Sequence, residues 1–200
     1  GKTITLDLNG QTLINEEGKH TITNEGTLTI VGTGTVDNVS HGKGAVYNDA
    51  GATCTILGGN YTRSQENGQS DSDSGGNSWY AIKNFGTMTI GEEGAPNDAV
   101  KVSFTGKYSS LVANGWQDGA AAGQPNKEPA YERDAQLPIS GGSFSGTNGS
   151  VGRTTDAAAP QITGGTFSSD VSAFAGDGYV CVKQEDDMYA VTGLTADNAV

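Results

Sequence analysis

Short segments of this chain alternate hydrophobic and polar residues with a period of two. Residues 22–30 read ITNEGTLTI, residues 82–90 read IKNFGTMTI, and residues 46–56 carry a looser copy. A second unit appears as ILGGNYT at 56–62, ISGGSFS at 139–145 and ITGGTFS at 162–168. Such runs, rich in β-branched residues and separated by Gly and Asn, are typical of short strands. No segment combines a 3.6-residue apolar period with helix caps, so we expect almost no helix.

The spacing of these units predicts a solenoid. Equivalent positions recur at intervals in the twenties where no loop intervenes, which fits a coil of three strands. The predicted fold is all-β: a single-stranded, right-handed parallel β-helix of six or seven coils with two long loop excursions. We expect the repeats to cover 1–170, with excursions near 63–79 and 116–136, and residues 171–200 to form a C-terminal cap or linker.

Alternation also predicts which side chains face the interior. Equivalent strands place Asn24, Asn48, Asn84 and Asn114 on the inward side, where each amide can hydrogen-bond its copies in neighbouring coils. The other two strands of each coil place apolar side chains inward, and Cys54 among them is expected to be a buried free thiol. The sequence therefore predicts a thin core with an asparagine ladder along one wall.

The repeated units also resemble a known family. GTLTI and ITGGTF resemble the β-helix repeats of the pectate-lyase-like superfamily, and more narrowly those of large surface proteins of Gram-positive anaerobes. The tail from residue 164 onward resembles the segment that closes such repeat regions. The resemblance implies an extracellular, adhesin-like module at a bacterial cell surface. It leaves the activity open, because the superfamily includes lyases, hydrolases and non-catalytic adhesins.

Composition narrows the classes of partner. Only 34% of the 200 residues are hydrophobic, which suits a solenoid better than a thick layered core. The formal net charge of −12 repels phosphate backbones and anionic membranes, so we expect neither nucleic acid binding nor membrane insertion. The chain opens on a strand-like run without a signal peptide. We therefore expect a longer protein with flanking domains, and we infer secretion from the resemblance.

Two tryptophans mark a candidate ligand site. Trp79 precedes the strand that begins at Ile82, and Trp116 follows the strand around Val112, each beside a long polar excursion. These rings would border a groove for polysaccharide or host glycan, because sugar C–H faces stack on aromatic rings. Its floor would be formed by the outward side chains of Thr23, Tyr47, Lys83 and Phe85. The alternative is that each tryptophan only pins its loop to the coil.

Calcium is the one cofactor that the sequence suggests, and the signal is incomplete. Asp71, Asp73 and Asn77 lie in a stretch that resembles the start of an EF-hand loop. The stretch departs from that pattern at Gly75, and at Ile82, where the motif has Glu. A solvated loop rich in Ser, Gly and Asp is the alternative.

Catalytic candidates are few. If the protein is an enzyme, Glu25 and Asp49 form the carboxylate pair, since they occupy similar outward positions on successive coils. Threonine pairs at 27/29, 53/55 and 87/89 form a regular outward array of the kind seen on ice-binding surfaces, although Thr is also the common polar residue of an exposed strand.

The sequence thus predicts a non-catalytic surface module that binds glycan on one face of a β-helix. Two alternatives stay open at this stage. One is a polysaccharide lyase or glycoside hydrolase of the same fold, and the other is a structural stalk without a ligand.

Overall fold

A computed structural model describes residues 1–40, 43–64, 80–104, 112–114, 135–146, 150–153 and 158–198. For Phe104, residues 112–114 and Arg153 the backbone alone is described. Nineteen strands and two short 3-10 helices, Asn97–Ala99 and Ser172–Phe174, lie in these ranges. The strands are β1 Thr3–Asp7, β2 Thr12–Ile14, β3 Ile22–Asn24, β4 Thr27–Val31, β5 Thr35–Asp37, β6 Val46–Asn48, β7 Thr53–Ile56, β8 Gly59–Thr62, β9 Ile82–Asn84, β10 Thr87–Ile90, β11 Val100–Phe104, β12 Val112–Asn114, β13 Pro138–Ile139, β14 Ser143–Gly146, β15 Val151–Arg153, β16 Gln161–Ile162, β17 Thr166–Phe167, β18 Tyr179–Lys183 and β19 Tyr189–Gly193.

The strands form three sheets, and as far as β17 consecutive strands along the chain lie in different sheets. Sheet A has the order β1-β4-β7-β10-β13-β16, sheet C has the order β15-β12-β9-β6-β3, and sheet B runs β18-β19-β17-β14-β11-β8-β5-β2. Every third strand therefore returns to the same sheet and pairs in parallel with its predecessor, up to β17. This arrangement confirms the predicted parallel β-helix.

The register between coils is regular. Thr3, Thr27, Thr53 and Thr87 pair in succession along sheet A, so the first two coils span 24 and 26 residues and the third spans 34. The third coil is longer because residues 65–79 intervene between β8 and β9. The described strands complete five coils of three strands, and β16 and β17 begin a sixth.

Inward side chains from each sheet stack in columns that fill the interior. Sheet A contributes the stacked, fully buried side chains of Ile30, Ile56, Ile90, Ile139 and Ile162. Sheet B contributes a column that ends in two phenylalanine rings, and these rings stack with centroids 4.8 Å apart and planes 3° from parallel. Dry stacks of this kind bury apolar surface in every coil, which compensates for the low hydrophobic content.

Asn24, Asn48 and Asn84 line the inward side of sheet C as the sequence predicts, and the side chain of the fourth predicted member, Asn114, lies outside the described part of the chain. The Nδ2 of Asn24 donates to Oδ1 of Asn48 at 2.7 Å, and the Nδ2 of Asn48 donates to Oδ1 of Asn84 at 2.8 Å. Each amide also donates to backbone carbonyls of the following coil, at Thr53 for Asn24 and at Thr87 for Asn48. The buried amides are therefore satisfied by their copies and by the main chain.

The two glycines of the Gly-Gly pair in the second repeat unit are required for different structural reasons. A Cβ at the first glycine, Gly58 or Gly164, would collide with the backbone of the preceding coil. The second glycine, Gly59 or Gly165, has φ of 100° or 105°, a conformation that disfavours any side chain. Close stacking and the turn into sheet B thus explain the motif.

An antiparallel hairpin ends sheet B. Strands β18 and β19 pair with each other, and β19 pairs with β17 through Thr166–Ala190 and Phe167–Tyr189. This reversal of direction ends the parallel stacking in that sheet. The predicted domain boundary at 170/171 stays a prediction.

Candidate functional site

The outward side of sheet C carries the predicted ligand-binding residues that the structure describes. Thr23, Tyr47 and Lys83 are paired in register on β3, β6 and β9, each between two inward residues. Thr23 is exposed and Tyr47 is half-buried, whereas Lys83 is only 1% exposed. The outward face is therefore open at its first two rungs and covered at the third.

Four aromatic rings and one ammonium group gather on this face. The ring of His20 stacks on Tyr47 with centroids 4.6 Å apart, and Phe85 meets Tyr47 edge-on at 5.4 Å. The Nζ of Lys83 lies 4.7 Å from the ring centre of Phe85 and 4.8 Å from that of Tyr80. We refer to His20, Tyr47, Tyr80, Lys83 and Phe85 as the sheet C cluster. Its members brace one another through stacking and cation–π contacts.

The members of the cluster differ in their access to solvent. Phe85 and Tyr80 are buried, at 4% and 7% exposure, so with Lys83 they form the inner part of the cluster. Tyr47 and His20 are half-buried and form its outer part. Of the predicted groove floor, Thr23 and Tyr47 are therefore the residues that the structure places within reach of a ligand.

His20 is a member of the site that the sequence did not identify. Its Nδ1 accepts a hydrogen bond from the backbone N–H of Gly44 at 2.9 Å. Burial, reinforced by the positive charge of Lys43, lowers the pKa of His20 to about 4. The ring is thus neutral at pH 7, which favours its stacking on Tyr47. Gly44, whose N–H donates to this ring, lies 24 residues further along the chain, so no local sequence motif indicates the contact.

Buried polar groups fix the chain where it leaves sheet B. Arg63, predicted in a loop, is fully buried, and its Nη1 donates to the carbonyl of Tyr80 at 3.3 Å. The backbone N–H and the hydroxyl of Ser64 both donate to the carboxylate of Asp37. These contacts anchor the ends of the segment that joins β8 to β9, and through Tyr80 they position the cluster.

Several predicted site residues lie outside the described residues. They are the two tryptophans, Trp79 and Trp116, and the calcium candidates Asp71, Asp73 and Asn77. Within the described ranges no group of three or more His, Cys, Asp or Glu side chains is placed to hold a metal ion. The calcium site and the tryptophan groove stay predictions.

Glu25 and Asp49 lie on neighbouring coils, each directly after a ladder asparagine. Glu25 is exposed, and Asp49 is half-buried with its carboxylate accepting the N–H of Ala50 at 2.8 Å. The Asp49 carboxylate is thus engaged in its own turn. Among the described residues, neither carboxylate forms an ion pair or accepts a hydrogen bond from a side chain, and their assignment as a catalytic pair stays a prediction.

The threonine array on the outward side of sheet A is longer than its three clearest sequence copies. Thr3 and Thr5 on β1 pair in register with Thr27 and Thr29 on β4, so the array spans four rungs. On the fifth rung Gln136 lies opposite Thr87, and the array stops. The array is regular and consists of threonines, in contrast to the aromatic face of sheet C.

The two cysteines are free thiols. Burial raises the pKa of the Cys54 thiol to about 12, and Cys54 lies in the inward column of sheet A between Leu28 and Met88. The prediction of a buried free thiol at Cys54 is confirmed, and a thiol of this kind is protonated and unreactive at pH 7.

Comparison with models of protein families, with curated proteins and with solved structures gave no match. In the described part of the chain, no helix has both the length and the apolar character needed to cross a membrane.

Proposed function

We propose that this protein is a non-catalytic extracellular module that binds glycan through the outward face of sheet C, centred on Tyr47. The observation that carries the proposal is the packing of Tyr47 between His20 and Phe85, with part of the tyrosine still accessible to solvent. An aromatic ring held rigidly at a surface is suited to stacking against the C–H face of a sugar.

The strands around Tyr47 supply the polar groups that such a ligand needs. The exposed hydroxyl of Thr23 lies one rung away on β3, and the carboxylates of Glu25 and Asp49 follow the same two strands. The hydroxyl of Thr23 can donate hydrogen bonds to sugar hydroxyls and accept them, whereas the carboxylates accept hydrogen bonds from sugar hydroxyls. In this proposal Tyr47 and Thr23 contact the glycan, while Phe85 and Lys83 support Tyr47 from below.

The parallel ladder makes the site rigid before binding. Backbone pairs between β3, β6 and β9 fix the spacing of Thr23, Tyr47 and Lys83, and the buried asparagines hold the same strands from the inner side. A preorganised site loses little conformational entropy on binding. The acidic surface keeps the module soluble and repels anionic partners, in line with display at a bacterial cell surface.

A glycan array tests the proposal directly. The wild-type chain should bind a defined subset of glycans, and Tyr47→Ala should lose that binding while its far-UV spectrum stays that of the wild type. Tyr179→Ala is a matched control, because Tyr179 is also half-buried but lies on the C-terminal hairpin. Equal binding by the wild type and Tyr47→Ala, or a blank array, would refute the assignment.

Two further experiments distinguish a calcium-dependent binding module, an enzyme and a structural stalk. If binding requires calcium, the candidates Asp71, Asp73 and Asn77 gain support, and their replacement by Ala should abolish the calcium-dependent binding. If polysaccharide digests release new reducing ends or unsaturated products, and Glu25→Gln or Asp49→Asn stops the release, the protein is an enzyme. A chain that neither binds nor cleaves glycans would be a structural stalk.

A further inference from the structure

The outward face of sheet C carries different charges at the two ends of its strands. β3 and β6 pair in parallel, so the residues that precede both strands lie at one end of the face and those that follow them lie at the other. His20 and Lys43 precede the strands, and we refer to them as the basic end. Glu25 and Asp49 follow the strands and form the acidic end, with Tyr47 between the two ends.

The backbone of Gly44 holds Lys43 beside His20. The N–H of Gly44 donates to Nδ1 of His20 at 2.9 Å, and its carbonyl oxygen accepts the N–H of Thr21 at 3.2 Å. A Cβ on Gly44 would lie only 2.8 Å from the carbonyl oxygen of Ala81, so the next coil confines the same backbone from the other side. Lys43 is half-buried and forms no ion pair with the described residues.

The electrostatic potential at the basic end is opposite in sign to the charge of the whole molecule. Burial is the main cause of the lowered pKa of His20, and the positive charges of Lys43, Lys83 and Arg63 lower that pKa further. No carboxylate among the described residues acts on His20 in the opposite direction. A locally positive surface on a chain of net charge −12 favours a ligand with a localised negative charge.

His20 also offers a hydrogen-bond donor at this end. Because its Nδ1 accepts the N–H of Gly44, the neutral ring carries its proton on Nε2. Nε2 forms no hydrogen bond to the described residues and is not shut off from solvent. The ring stacks on Tyr47 with centroids 4.6 Å apart, so this donor lies beside the ring on which we place the sugar.

We propose that the sheet C face selects a glycan with a single acidic sugar, whose carboxylate accepts a hydrogen bond from Nε2 of His20 and pairs with the ammonium group of Lys43. The C–H face of that sugar stacks on Tyr47, and hydroxyls of the adjoining sugar donate to the carboxylates of Glu25 and Asp49. This inference rests on the proposed glycan binding and adds the chemical class and the orientation of the ligand.

The acidic end limits the ligand to one negative charge. A chain with a carboxylate on every sugar, such as polygalacturonate, would bring further charges against Glu25 and Asp49 and against the acidic surface of the molecule. A neutral glycan, by contrast, offers no counter-charge to Lys43. The charge pattern along the strands therefore favours one acidic sugar on an otherwise neutral glycan.

Calorimetric titration with matched ligands tests this selectivity. The probes are oligosaccharides that end in one glucuronic, galacturonic or N-acetylneuraminic acid, each compared with its methyl ester, in which only the charge is removed. We expect the wild type to bind at least one of the acids about fivefold or more tightly than its ester, because the acid gains a charge-assisted hydrogen bond and an ion pair. Added salt should reduce this ratio, since it screens exposed charges.

Variants of Lys43 assign the selectivity to the basic end. Lys43→Gln should bring the ratio of acid to ester affinity close to one, and Lys43→Arg, which keeps the charge, should retain most of it. Lys101→Gln is the matched control, because it removes the same charge from an exposed lysine on the outward side of sheet B. This control should keep the wild-type ratio.

The outcomes separate this inference from the proposed function. Equal binding of acids and esters, with the binding still lost in Tyr47→Ala, would overturn the selection of an acidic sugar while glycan binding at this face stands. Binding of neutral glycans alone, an unchanged ratio in Lys43→Gln, or tighter binding of polygalacturonate than of the single-acid probes would also overturn it. A chain that binds none of the probes and no glycan on the array would refute both.

Discussion

Asn48 lies in the middle of the asparagine ladder and makes hydrogen bonds to both neighbouring coils. It accepts from Asn24, and it donates to Asn84 and to the carbonyls of Ala52 and Thr87. A single buried amide of this kind would be costly, whereas a repeated one satisfies its neighbours. The ladder therefore couples the stability of three successive coils at one residue position.

Replacing Asn48 by Ala should destabilise the fold by about 3 kcal/mol, because it leaves buried donors and acceptors without partners on both sides. Chemical denaturation of the two proteins measures the difference. Asn60→Ala is the matched control, since Asn60 is half-buried on the outward side of β8 and its side chain makes no hydrogen bond to the described residues. A loss for Asn48→Ala no larger than that for Asn60→Ala would show that the ladder is not stabilising.

The lowered pKa of His20 makes the free energy of unfolding depend on pH. Its folded pKa of about 4 lies below the ordinary value of 6.5, so the unfolded chain takes up the proton first as the pH falls. The contribution of His20 to stability is therefore complete above pH 6.5 and is lost progressively as the pH falls from 6.5 to 4. Burial is the main cause, and the stacking on Tyr47 depends on the neutral ring.

NMR titration of the histidine ring signals measures this pKa directly. We expect one signal to titrate near pH 4 and to vanish in His20→Asn, a change that supplies a side-chain oxygen acceptor near the original Nδ1. In denaturation series at pH 7 and pH 5, the wild type should lose more stability than His20→Asn. A midpoint near 6.5 for His20 would contradict the burial and stacking described for this ring.

At the scale of the elements, the strands depend on how closely consecutive coils approach. Gly86 begins the turn from sheet C to sheet A, and a Cβ there would collide with the carbonyl oxygens of Ala52 and Asp49 in the preceding coil. Gly51 lies in an equivalent turn with φ of 76°, and a Cβ there would meet nothing within 4 Å. The two glycines are thus needed for different reasons.

Gly86→Ala should cost about 3 kcal/mol, because rigid backbone must move to admit the methyl group. Gly51→Ala should cost about 1 kcal/mol, which reflects only its left-handed backbone conformation. Urea denaturation of both variants measures the two costs. Equal losses would mean that coil stacking is looser at Gly86 than described here.

The alternation of residues along a strand predicted which side chains face inward, because the direction of a side chain depends only on its position in its own strand. The columns of isoleucine in sheet A, the asparagines of sheet C and the burial of Cys54 all follow from alternation with a period of two. This alternation does not predict whether an outward side chain is buried by other segments of the chain. Lys83 and Phe85 are buried although both are outward, and His20 and Arg63 find partners 24 and 17 residues away.

The same limit applies to glycine. The sequence shows that Gly-Gly recurs, but it does not distinguish Gly58, which touches the preceding coil, from Gly59, whose backbone conformation excludes side chains. Only the stacking of coils in three dimensions separates the two causes. Strand positions were thus predictable, while contacts between coils were predictable only where identical residues stack.

At the scale of the molecule, the solenoid presents two chemically distinct faces. Sheet A offers a flat array of threonines over four rungs, and sheet C offers the aromatic cluster around Tyr47. Both faces are rigid because the same coils support them. They differ in that, among the described residues of these two faces, aromatic rings occur in the sheet C cluster, which is why we propose that glycan binds there.

Mapping a bound glycan by NMR tests this assignment most directly. A glycan selected on the array is titrated into isotope-labelled protein, and the shifts of assigned amide signals are recorded. We predict that the perturbed amides cluster on β3 and β6, at Thr23, Tyr47 and their neighbours, and that the amide signals of sheet A do not shift. Shifts confined to the threonine face of sheet A, at Thr29 and Thr55 for example, would contradict it.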